Sequence, residues 1–155
     1  MSDLMHILRA IVREEMKALR LGDIAVVTAG MPHADGDTHN YECNVKLREQ
    51  GLELRKVPIA TPHIGMASAP REGDLVYVSY VGGDPNRPVV VGRLYSDEAN
   101  PPVHEADEWR VETPLAGKTS LAIDKDQSVV ITAGKNIITI KQDDIIEDRK
   151  STRLN

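Results

Sequence analysis

A mainly β protein is the expectation for this chain: one helix at its start, a small five-stranded barrel in the middle and a repetitive β-segment toward its end. Three observations predict it. The 155 residues include no Phe, one Trp and four Tyr, so cores must be built from Val, Ile and Leu, whose stiff χ1 suits strands. Residues 73–95, GDLVYVSYVGGDPNRPVVVGRLY, place two β-rich runs around a loop of turn formers. From residue 119 on, Leu121, Val129, Ile137 and Ile145 fall eight apart, and an internal period marks a repetitive architecture in which no unit buries its own apolar face.

Size and charge narrow the class further. One ordinary cored domain with an appendage fits the length. The formal net charge of −5 leaves room only for a local basic footprint for nucleic acid. A single cysteine excludes a disulfide within the chain, as suits a reducing compartment. No stretch approaches the roughly 18 apolar residues of a membrane span, and the first residues carry acids where a signal peptide needs basic charge. A soluble protein made in the cytosol is the expectation.

Residues 1–22 hold the helix. Ser2 or Asp3 caps it, Leu4, Leu8, Ile11, Val12, Met16 and Leu19 recur at helical spacing, and Gly22 suits the left-handed residue past its end. The stripe shows that something is to be buried, either against this domain or against a neighbouring chain.

Residues 23–96 supply five strands. The first is 24–29. The loop after it carries His33, Asp35, Asp37 and His39, a donor set that tempts a metal assignment, but Gly36 and the surrounding turn formers favour a polar loop, so no metal site is expected. In 41–47, Tyr41, Cys43, Val45 and Leu47 alternate with polar residues, which makes Cys43 a small core hydrophobe rather than a nucleophile. In 52–59 the apolar parity slips between Leu54 and Val57, predicting a bulge. The fourth and fifth strands, 75–81 and 89–95, form a hairpin. Gly82 and Gly83 permit positive φ, Asp84 can accept from the backbone two residues on, Pro85 presets φ, and Pro88 fits only at the start of a strand. Both faces of 75–81 are largely apolar, predicting burial on both sides. Five short strands of this kind match the count of an OB-fold barrel.

Residues 97–118 are expected to be an acidic, Pro-containing connector, with Asp97, Glu98, Glu105, Asp107, Glu108 and Glu112 against Arg110. Residues 119–148 form the octad segment, in which Leu121, Ile123, Val129, Ile131, Ile137 and Ile145 are the candidate inward positions. A single run of this length has no second layer, so its stripe needs other chains, as a self-associated β-prism or β-helix provides. Residues 149–155 form a polar tail.

The hairpin also resembles a known family. Its signature is Gly73 and Asp74 before the fourth strand, then Gly83, Asp84, Pro85, Arg87 and Pro88 in the loop, then Gly92 within V-V-V-G-x-L-Y. It is similar to the end of the OB-fold domain in contractile-tail spike proteins: the baseplate spike of contractile phages and the valine-glycine-repeat spike of type VI secretion. The octad likewise resembles the intertwined trimeric β-helix that follows that domain. The resemblance implies a homotrimeric structural hub whose OB ring docks on baseplate hub and tail proteins and whose β-helix points at the target cell envelope. It further implies a place in the virion tail baseplate, or an equivalent injection apparatus, assembled in the bacterial cytoplasm. Some relatives hold iron at an H-x-H needle tip. Here His6, His33, His39, His63 and His104 all precede the repeat, so the resemblance carries no metal over and leaves the tip blunt or capped by a separate tip protein.

Motifs for hydrolytic or phosphoryl chemistry (G-x-S-x-G, H-E-x-x-H, a P-loop) do not occur in the sequence, and neither an enzyme nor a cofactor is expected. The rival function is an OB module binding single-stranded nucleic acid or oligosaccharide. Such modules place aromatics on strands two and three, where this chain offers only Tyr41.

Overall fold

The computed structural model describes residues 2–141 and 145–149. It forms two compact units, 1–96 and 97–155. The first holds helix α1 (Ser2–Ala18) and strands β1 (Gly22–Met31), β2 (Glu42–Leu47), β3 (Glu53–Pro58), β4 (Leu75–Tyr80) and β5 (Pro88–Leu94). The second holds β6 (Trp109–Glu112), β7 (Thr119–Ile123), β8 (Val129–Ala133), β9 (Asn136–Ile140) and β10 (Ile145–Arg149). No described helix is long and apolar enough to cross a membrane.

In the first unit the antiparallel order is β3-β2-β1-β4-β5, and a parallel bridge between Ile59 and Val90 brings β3 and β5 together. The Ala60 N–H donates to the Val90 carbonyl at 2.8 Å. The ring therefore closes as β1-β2-β3-β5-β4, the five-stranded, partly open barrel of the OB fold. Its core is Ala25, Val27, Cys43, Val45, Leu47, Val57, Val76, Val78, Tyr80 and Val90. These are small and β-branched residues for the most part, as a chain without Phe requires. Alternation along β2 holds as read: Cys43, Val45 and Leu47 point inward with at most 1% exposure.

The parity slip in β3 is a bulge. Val45 pairs with Leu54 but Cys43 pairs with Val57, so β3 carries one residue more than β2 over this stretch. Lys56 takes up the excess at φ 53°, and its N–H donates to Asn44 Oδ1 at 2.9 Å. The bulge turns the strand toward β5, which closes the barrel.

Among the described residues, the fourth strand is not buried on both sides. Val76, Val78 and Tyr80 face the core, whereas Tyr77 is 40% exposed and Val81 leaves the strand for the turn. A small barrel has one interior, so the second face of each strand is outward whatever its composition.

The second unit is an antiparallel meander, β10-β9-β8-β7-β6. Residues 109–112, expected to be connector, form its edge strand: Trp109 pairs with Ile123 and Val111 with Leu121. The acids around this segment hide a Trp-Arg-Val alternation whose partner lies beyond a turn with a cis Thr113–Pro114 bond.

Candidate interaction surfaces

No described residues group three or more His, Cys, Asp or Glu as a metal site would require. In the β1–β2 loop, His33 Nδ1 donates to the His39 carbonyl at 2.7 Å, His39 Nδ1 lies 3.2 Å from Glu42 Oε1, and the Ala34 N–H donates to Asp37 Oδ2 at 3.0 Å. These bonds organise the loop internally. Cys43 is fully buried, and burial pushes its thiol up to about 11, only partly offset by the Arg93 charge. A thiol held protonated in this way is a poor nucleophile. Tyr41, the one aromatic beside strands two and three, accepts the Ser68 N–H on its hydroxyl at 2.8 Å, so it helps fix the loop before β4.

The hairpin residues form two turns. In the first, Gly73 sits at φ 91°, its N–H donates to the Val27 carbonyl at 2.9 Å, and Asp74 Oδ2 accepts the Arg71 N–H at 2.9 Å. In the second, Gly82 and Gly83 take φ 67° and 77°, and the Asn86 N–H donates to Asp84 Oδ1 at 2.9 Å. The Arg87 N–H donates to the Asp84 carbonyl at 3.0 Å, and the Arg87 carbonyl accepts the Val81 N–H at 3.0 Å. Pro85 lies inside this loop, and Pro88 opens β5 as its missing N–H requires. Gly92 lies opposite Tyr77 beside a β-bulge between β4 and β5.

Among the described residues three apolar surfaces remain uncovered. The first is α1, whose Leu4, Met5, Ile7, Leu8, Ile11, Val12 and Met16 are all exposed. The second is the barrel's outer face, where Ile24 pairs with Tyr77 and Leu75 with Leu94.

The third is one face of the meander. Directly opposed residues share a face in an antiparallel pair, and the register puts Leu121 beside Ile131 and Ile123 beside Val129, then Ile131 beside Ile138 and Val129 beside Ile140. Trp109 and Val111 extend this face through β6. Ile137 is not part of it. It pairs with Thr132, on the face of Val130 and Ala122. The reason is loop length: β8 and β9 are joined by the two residues Gly134 and Lys135, and an even loop inverts the parity that the five-residue loop before β8 preserves. Ile138 and Ile140 take the place expected for Ile137. Ile145 pairs with Ile140 through its backbone, while its side chain lies outside the described part, as does the tail from residue 150.

On the shared face, Leu121, Ile123, Ile131, Ile138 and Ile140 are each about 40% exposed. A sheet of one layer buries neither face fully, and each such side chain gains about 1 kcal/mol or more when covered. A contiguous patch of this kind marks an interaction surface.

Residues 55–95 match the family model of the type VI secretion system/phage-baseplate injector OB domain. The match runs from within β3 through the irregular connection and the β4–β5 hairpin, and thus bears out the resemblance carried by that hairpin. The matched family is a structural domain of baseplates. No curated protein matches the chain.

Proposed function

We propose that the chain is the homotrimeric central spike and hub of a contractile tail baseplate or a related injection apparatus. The observation that carries this reading is the uncovered apolar face of the meander, in a chain whose residues 55–95 match the injector OB domain. Three copies of the sheet close around a shared axis, as a three-sided prism or an intertwined β-helix, and bury Leu121, Ile123, Val129 and Ile131 with Ile138 and Ile140 in one dry core. The barrels form a ring that docks on hub and tail proteins, and the closed sheets form the rigid element aimed at the target cell envelope, blunt or capped by a separate tip protein. Assembly takes place in the bacterial cytoplasm, before the tail is complete.

The role is mechanical. A closed three-sided prism removes the free apolar face and packs hydrogen-bonded strands around one core, as a thin β-structure under load requires. Negative-stain electron microscopy of the purified chain tests this: class averages should show particles with three-fold symmetry, and single-chain particles would end the proposal.

A further inference from the structure

In the barrel unit two apolar surfaces have no cover, and they cannot cover each other within one chain. The connection between α1 and β1 is three residues long, and it is already pinned: the Arg20 N–H donates to the Gly83 carbonyl at 3.0 Å and Arg20 Nε lies 3.1 Å from Asp23 Oδ2. Folding the helix back onto β1 would break this root.

We propose that α1 of one copy lies across the outer β1–β4–β5 face of a second copy. The proposal rests on the self-association argued above and adds to it what the helix is for. The sizes fit: a helix of 17 residues is about 25 Å long and about 10 Å wide, and three adjacent strands offer a strip of roughly 10 Å between their outer axes and a strand's length along them. Met5, Leu8 and Val12 meet Ile24, Tyr77 and Leu94. The charges fit as well. Glu15 is the charge that interrupts the helix's apolar arc, and Lys46, which pairs with Val26 in the register, edges the barrel's apolar face. Neither makes an ion pair among the described residues. Such a contact joins two different surfaces, and a head-to-tail contact of this kind closes into a ring when each copy gives one helix and receives one.

The test co-expresses a Val12→Cys chain with a Tyr77→Cys chain, oxidises the purified protein mildly and resolves it on a non-reducing gel. Buried Cys43 stays out of the reaction, and unsubstituted protein serves as the control. The expected result is a two-chain disulfide product holding about half of the protein, the share that random mixing of two chains in a three-membered head-to-tail ring allows, formed only when both variants are present and repeated with Ile24→Cys in place of Tyr77→Cys. Its yield falls several-fold with Glu15→Lys and recovers when Lys46→Glu is added. Cross-linking of Val12→Cys with itself would place helix against helix and overturn the proposal, as would a disulfide inside a chain carrying both cysteines. Absence of any product in protein that has the mass of a trimer would overturn it while leaving the trimer intact, and the mass of one chain would overturn both.

Discussion

Tyr80 donates its hydroxyl to Asp23 Oδ2 at 2.7 Å across 57 residues of chain, and Arg20 holds the same carboxylate while its guanidinium lies 5.3 Å from the Tyr80 ring centroid. Arg20 also bonds Gln50 Oε1. This cluster ties the end of the helix, the first strand and the fourth strand together at one point. Burial, the hydrogen bond and the Asp23 charge push the Tyr80 hydroxyl up to about 12, against the opposing Arg20 charge. Because the folded value lies above the unfolded one, the contribution is fully present below about pH 10 and is lost as pH rises toward 12. A tyrosinate absorbance titration should show one of the four tyrosines ionising last, and Tyr80→Phe should remove that late step and cost about 1–2 kcal/mol in a denaturant melt.

Cys43 should resist a thiol reagent in the native protein and react at the rate of a free thiol once the barrel is unfolded, since both burial and a raised thiol value disfavour the thiolate. Native labelling within the mixing time would place the thiol outside the core.

Gly82 and Gly83 separate two effects. Both take positive φ, but a Cβ at Gly82 meets open space, whereas one at Gly83 lies 2.7 Å from Leu19 Cδ2. Gly82→Ala should cost the left-handed backbone alone, about 1–2 kcal/mol, and Gly83→Ala more, because Leu19 must also move. Equal melting temperatures for the pair would mean that Leu19 does not pack at the root of the helix.

How much of this was legible in the sequence depends on how local the information is. The alternation of Cys43, Val45 and Leu47, the bulge between Leu54 and Val57, and the Asp84 turn are written in adjacent residues and stand in the structure as read. The face taken by Ile137 is not, because the eight-residue spacing fixes distance along the chain while the parity of a hairpin depends on the loop between its strands. Likewise β6 escaped notice because Trp109 and Val111 become a strand only through pairing with Ile123 and Leu121. The outward Tyr77 face shows a further ambiguity: an apolar run states that burial is wanted, and does not say by which chain.

That distinction gives a direct comparison. Ile131→Asp puts a carboxylate from each copy into the shared apolar face, where desolvation and mutual repulsion cost several kcal/mol, and it should dissociate the assembly in sedimentation. Ile137→Asp lies on the opposite face and should leave the assembly in place. If the two behave alike, the register does not define the interface.

Light scattering coupled to size exclusion at micromolar concentration measures most directly whether three copies of this chain cover one another's apolar meander faces: the expected result is a single species of three times the 17.1 kDa of one chain, and a species of one chain mass would rule the trimer out.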